Sequence, residues 1–173
     1  MNNEIVIKYA SPADLMALKS LRAQALIEEP LAFSKSPQEY SKCSDEQIIH
    51  MLSPSNKSSS TLLAIDQSKC CIGMIGYHIN INRSKIAHAA EVNGLYVQKK
   101  SRNLGIATLL VNSLVSSLKQ NESIKFVYLS VNACNNSAIN LYKKFGFQEW
   151  GRQPSALKVS GTYYDLIHMF LKI

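Results

Sequence analysis

Hydrophobic and polar positions along this chain follow two periods, and the switches between them mark its elements. Ile5 to Ala10 alternates as a first strand. Ser11-Pro12-Ala13-Asp14 then supplies a helix start: an N-cap, a proline at the first helical position and an acid in the first turn. Leu15, Leu18, Leu21, Arg22, Ala25 and Leu26 recur at helical spacing until Pro30 stops the helix. Pro30 to Pro37, PLAFSKSP, reads as a turn. A second helix is predicted from the capping box Ser44-x-x-Gln47 to about Leu52. Pro54 to Ser60, PSNKSSS, has the composition of a flexible exposed connection.

Two strands follow, Thr61 to Asp66 and Cys70 to about Ile81, joined by the turn Gln67-Ser68-Lys69. Gly73 and Gly76 mark a bulge or a close backbone approach in the second. A polar loop, Asn82 to Lys85, leads to a central strand, roughly Ala87 to Val97. After Gly105 the period becomes helical, with Ala107, Leu110, Leu114 and Leu118 on one face and Thr108, Asn112, Ser116 and Lys119 on another. Phe126 to Val131 is a buried-type strand and Asn136 to Phe145 a further helix. Phe147 to Arg152 and Tyr163 to Leu171 close the chain as strands, with Pro154 and Gly161 in the loop between them. The predicted order is β-α-α-β-β-β-α-β-α-β-β, a mixed α/β sheet carrying helices on both faces, in a single domain over residues 1–173.

The stretch Glu91 to Leu110 carries the chemistry. A strand, a glycine-bearing turn and a helix start present unpaired backbone N–H groups and a positive dipole end to an anion. Lys99, Lys100 and Arg102 add mobile positive charge at the same place. A phosphate-bearing ligand on the turn Arg102 to Thr108 follows. The P-loop pattern and the dinucleotide fingerprint are both absent.

Arg102-x-x-Gly105-x-Ala107, preceded by Leu95-x-Val97, resembles motif A of the GNAT superfamily of acyl-CoA N-acyltransferases. Asn103 stands where glycine is frequent, and Ala107 replaces the last glycine. Leu129-x-Val131 and then Asn135-x-x-Ala138-x-x-Leu141-Tyr142-x-x-x-Gly146-Phe147 resembles motif B of the same superfamily, in register and at the expected distance. The resemblance spans Ile5 to Ile173, with its specific residues between Glu91 and Phe147. It implies a mixed, mostly antiparallel sheet of about seven strands with about four helices. In that fold two central parallel strands splay, here Glu91–Val97 and Phe126–Val131, and Gly94 would ease a bulge between them.

The resemblance further implies acetyl-CoA as co-substrate, with no metal. Leu95, Tyr96 and Val97 would pair through their backbones with the pantetheine amides. Arg102, Asn103, Leu104, Gly105, Ile106, Ala107 and Thr108 would hold the pyrophosphate, and Asn135 the cofactor arm. Tyr142 would point its phenol into the cleft and protonate the departing thiolate; its helical spacing also suits a core aromatic. Glu91, six residues before Val97, would be the general base that deprotonates the amine, or else a solvated acid at a strand end. Strand alternation puts Glu91 on one face with Asn93, Leu95 and Val97. The implied reaction is direct attack of a primary amine on the thioester; the alternative is a GNAT-fold acetyl-CoA sensor or scaffold without turnover. The acceptor would contact the loop Glu28 to Tyr40, where Glu28, Glu29 and Glu39 favour a cationic amine, and the last hairpin.

Composition narrows the field. With 173 residues, 46% hydrophobic and 18% charged, the chain has one domain's worth of ordinary globular sequence. No apolar run suits a membrane span and no signal peptide opens it, so the expected location is the cytoplasm. Lys and Arg outnumber Asp and Glu by 19 to 12. The basic residues are scattered without interleaved aromatics, which argues for a polyanionic cofactor over nucleic acid. Cys43, Cys70, Cys71 and Cys134 have neither metal-ligand nor disulfide spacing. Cys134, just before the motif B asparagine, reads as a buried or incidental thiol, with a covalent acyl carrier as the sharper alternative. A homodimer is compatible with all of this.

Overall fold

The computed structural model describes residues 5–52 and 58–173. Seven strands form one sheet in the order β1-β2-β3-β4-β5-β7-β6. They are β1 (Val6–Tyr9), β2 (Ser59–Ile65), β3 (Cys71–Ile79), β4 (Ala89–Val97), β5 (Phe126–Asn132), β6 (Gln148–Val159) and β7 (Thr162–Lys172). All neighbours are antiparallel except β4 and β5, which run parallel. The α-helices are α1 (Leu15–Glu28), α2 (Pro37–Ser41), α3 (Asp45–Leu52), α4 (Ile106–Lys119) and α5 (Asn136–Lys144). The expected order of elements is found with one addition, the short α2. Its first residue is Pro37, and Ser36 and Glu39 cap it reciprocally, so the predicted turn ends where this helix begins. The cap predicted for α3 is present: Gln47 N–H donates to Ser44 Oγ and Ser44 N–H to Gln47 Oε1.

Side-chain periodicity divides the core between the two sheet faces. On one face α4 and α5 cover β3, β4 and β5, with Ile106, Leu110, Val111, Leu114, Val115 and Leu118 of α4 buried. On the other, α1 and α3 pack Leu21, Ala25, Leu26 and Ile48 against Leu63, Met74 and Tyr96. Leu110 and Leu114 are fully enclosed, so truncating either to alanine would cost about 2–5 kcal/mol.

Three local outcomes differ from the sequence reading. The exposed connection Pro54 to Ser60 lies largely outside the described residues; Ser59 and Ser60 belong to β2. Pro154 sits inside β6, not in a loop. β6 is an edge strand and its register shifts between Gln153 and Leu157, so a residue without an N–H is tolerated there. The third difference concerns β4. Gly76 faces Asn93 while Met74 faces Tyr96, so Gly94 and Leu95 oppose a single residue of β3. Gly94 adopts φ +67° at this bulge. The extra residue reverses the alternation. Ala90, Val92, Leu95 and Val97 meet the α4–α5 core, whereas Tyr96 joins the α1–α3 core. Glu91 and Asn93 therefore do not share a face with Leu95 and Val97, as simple alternation predicted; they share the face of Tyr96.

Candidate active site

β4 and β5 pair only from Ala89–Phe126 to Val92–Leu129, and beyond that they part. A groove of about 630 Å³ begins in this gap and runs to the start of α4. Its walls are Leu95 to Val97 of β4, the turn before α4, and the β5–α5 junction with one side of α5.

Among the described residues, the turn before α4 leaves backbone N–H groups unpaired. Asn103 (φ +62°) and Gly105 (φ +76°) are left-handed, which turns successive N–H groups toward the groove. The first recorded bond of the helix runs from Leu109 N–H to Gly105 O, and no side chain caps α4. Among the described residues, the backbone N–H groups from Asn103 to Thr108 have no intramolecular partner. A β-carbon on Gly105 would meet no protein atom within 4 Å, so the space before it is open. Asn103, Gly105, Ile106, Ala107 and Thr108 line the groove as expected; Leu104 is exposed and does not.

Arg102 also lines the groove, but its charge is not mobile. Nε donates to Val97 O at 3.1 Å and Nη2 to Glu29 Oε1 at 2.8 Å. Its guanidinium carbon lies 5.9 Å from the centre of the Tyr96 ring. Lys144, at the end of α5, lines the groove as an exposed cation that sequence reading did not single out.

At the other end of the groove stands Asn132, only 3% exposed. Its Oδ1 accepts from Cys134 N–H at 2.9 Å, while its buried Nδ2 has no partner. Sequence reading missed this residue. It precedes motif B, and no local pattern distinguishes a strand-end asparagine whose amide is orphaned. Asn135, the predicted arm-binding residue, caps α5: its Oδ1 accepts from Ala138 N–H and from Ser137 Oγ, both at 3.1 Å. Asn135 lines the groove. Cys134 lines the groove too and is exposed, so of the expected buried or incidental thiol the buried form is not found, because the residue lies in the turn between β5 and α5.

Tyr142 lies outside the groove lining. It is 7% exposed and its ring meets Phe147 edge-on, with centroids 5.6 Å apart. The side of α5 toward the groove presents Ser137, Ala138, Leu141 and Lys144, whereas Ile139 and Tyr142 turn into the core. Burial pushes the Tyr142 phenol above its ordinary pKa of 10.0. Glu91 is exposed on the opposite side of β4, between His78 of β3 and Tyr128 of β5. The three acids expected to attract a cationic acceptor are already engaged. Glu28 accepts from Tyr96 Oη at 2.8 Å and from Gln24, Glu29 holds Arg102, and Glu39 caps α2. Among the described residues no cluster of three or more His, Cys, Asp or Glu could share a metal ion. No helix there is long and apolar enough to cross a membrane.

A mostly antiparallel seven-stranded sheet that opens at one parallel pair, with an uncapped helix start at the opening, defines an acyltransferase of the GNAT fold. The family model for the acetyltransferase (GNAT) family matches residues 23–147, and the chain belongs to that family. It is similar to the L-amino acid N-acetyltransferase AaaT of Escherichia coli, at 28% identity over 96% of this chain and 97% of that protein. A GNAT-family acetyltransferase from Streptococcus pneumoniae superimposes with a TM-score of 0.87, covering 98% of this chain and 100% of that one at 22% identity. A phosphinothricin acetyltransferase from Sinorhizobium meliloti, solved in complex with AcCoA, does so at 0.84 over 98% and 88%, at 18% identity.

Proposed function

We propose that this protein, a single acetyltransferase domain over its whole length, transfers acetyl from acetyl-CoA to a primary amine by direct attack in a ternary complex. The observation that carries the reading is the groove itself. It joins the unbonded N–H groups of Asn103 to Thr108 at one end to the orphaned Nδ2 of Asn132 at the other. The helix-start amides suit a pyrophosphate. Leu95 to Val97 do not pair with β5, and apart from Val97 O, which Arg102 holds, that edge suits an amide-bearing arm laid between the strands. A buried donor such as Asn132 Nδ2 costs about 1–3 kcal/mol while unmet, and a carbonyl of that arm would meet it. These residues fit acetyl-CoA.

The amine nitrogen attacks the thioester carbonyl carbon, the carbon–sulfur bond breaks, and the sulfur leaves as a thiolate. Glu91 takes the first ammonium proton through a water, since amines near pKa 10 are mostly protonated at neutral pH. The second proton, which the nitrogen loses on forming the amide, passes to solvent. Tyr142 is the proposed proton donor to the thiolate: its phenol is protonated throughout the neutral range, although the burial that raises its pKa also makes it a weaker acid. Its enclosure against Phe147 favours a second reading, a core aromatic that supports Ala138 and Leu141 from behind. The activity test is thiol release from acetyl-CoA across panels of amino acids, peptides, polyamines and aminoglycosides. A binding scaffold would show a thermal shift with acetyl-CoA and release no thiol with any acceptor.

A further inference from the structure

Arg22 of α1 has no role in the site described so far. Its side chain is partly enclosed, and burial lowers its pKa from the ordinary 12.5. The guanidinium carbon lies 4.6 Å from the centre of the Phe33 ring. On its other side is the backbone of Gly94: a β-carbon there would come within 2.5 Å of Nη1 and 3.7 Å of Cζ. Among the described residues it makes no hydrogen bond and no ion pair with any other side chain. Arg102 and Arg152, by contrast, each hold a carboxylate. Stacking on Phe33 satisfies the face of the guanidinium but none of its in-plane N–H donors. A half-buried charge whose in-plane donors are unused is poised to take a partner of opposite charge.

The position narrows what that partner is. Arg22 abuts the bulge of β4, beside the point where β4 and β5 part and on the sheet face that carries Glu91 and Asn93. The acids at the end of α1 and in α2 are committed elsewhere: Glu28 to Tyr96 and Gln24, Glu29 to Arg102, Glu39 to Ser36. Tyr40, the other titratable group acting on it, is a phenol whose pKa burial raises, so it brings no negative charge. The acceptor side of the gap thus presents an unpaired, preorganised fork, with Glu91, the proposed base, as the exposed carboxylate on the same face. Such a fork matches a carboxylate in the plane of its N–H groups.

We infer that Arg22 anchors a carboxylate of the acceptor, so that the substrate is a small amine that also carries a carboxylate group, an amino acid in chemical class. This rests on the N-acetyl transfer proposed above. With the carboxylate on Arg22, the amine on the neighbouring carbon lies toward the bulge, where the thioester must be presented. Gly94 belongs to the same device, because any side chain at that position would push the guanidinium away.

The test compares kcat/KM for a series of neutral L-amino acids with that for their carboxamides, in wild type, Arg22→Gln and Arg22→Lys. Wild type should prefer the free acids by roughly 30-fold or more, a typical consequence of removing one partner from an enclosed charge pair. Arg22→Gln should bring that ratio close to unity, chiefly by raising KM for the free acids. Arg22→Lys should keep an intermediate preference, and it serves as the reporting variant if the glutamine protein does not fold. A thermal shift with acetyl-CoA verifies that each variant retains the cofactor groove. Equal use of acids and carboxamides by wild type, or a ratio unchanged in Arg22→Gln, overturns the anchor and leaves acetyl transfer standing. No thiol release from either series overturns both.

Discussion

Glu29 holds Arg102 across the mouth of the groove, its Oε1 accepting from Nη2 at 2.8 Å. The contact joins the end of α1 to the turn before α4. It also places a carboxylate beside the site proposed for a pyrophosphate. Both partners are about a third exposed, so the pair itself stabilises the fold by no more than about 1 kcal/mol. Glu29→Gln should therefore leave the melting temperature almost unchanged while tightening acetyl-CoA binding several-fold, because a negative charge leaves the phosphate site. Arg102→Gln should weaken binding about tenfold. Calorimetric titration at two salt concentrations checks both, since each effect should shrink as salt rises. Weaker binding in Glu29→Gln would show that the ion pair positions the turn.

Gly105 separates backbone strain from ligand contact. A side chain there costs about 1–2 kcal/mol for the left-handed conformation, a few degrees of melting temperature in a chain of this size. It would meet no protein atom. Gly105→Val should consequently lose most of its acetyl-CoA affinity while remaining folded. Binding as tight as wild type would move the phosphate site elsewhere.

At Asn132 the two amide atoms can be tested apart. Asn132→Asp keeps an oxygen for Cys134 N–H and removes the orphaned donor. We expect KM for acetyl-CoA to rise about tenfold or more. An unchanged KM would mean that Nδ2 meets no part of the co-substrate.

The roles proposed for Tyr142 and Glu91 are resolved by single-turnover rates once an acceptor is in hand. Tyr142→Phe keeps the ring against Phe147, so a core aromatic would lose little, whereas a proton donor would lose roughly 10²-fold in the chemical step. Glu91→Gln should slow the reaction most at low pH, where the amine arrives protonated. Full activity in both variants would leave a groove that works by positioning alone.

Much of this was legible in the sequence, and the reasons are local. The uncapped turn before α4 depends on Gly105 and on the residues beside it in the chain, so the strand-turn-helix pattern located it. Asn135 is equally local, since it starts α5 and its side chain caps it. What escaped depends on partners distant in sequence. Arg102 carried a recognisable motif, but its engagement by Glu29 spans two elements. Arg22 read as one more position on an amphipathic helix, because its neighbours Phe33 and Gly94 meet it only in the folded sheet. The acids Glu28, Glu29 and Glu39 looked available for a cationic acceptor until tertiary contacts claimed them. Alternation carried β4 correctly as far as Asn93 and then failed, since one left-handed glycine shifts all that follows.

That shift has a consequence for how this strand can change. The two halves of β4 are out of phase by one residue, and the phase is kept by Gly94 alone. Deleting Gly94 would leave a strand of acceptable composition whose upper half is turned over: Tyr96 would exchange places with its neighbours, and Glu28 would lose the hydroxyl it now holds. Residues of β4 can therefore be matched between this chain and a relative only by counting outward from the bulge, separately on each side. A comparison that runs straight through it would assign the substrate side of the sheet to the wrong residues.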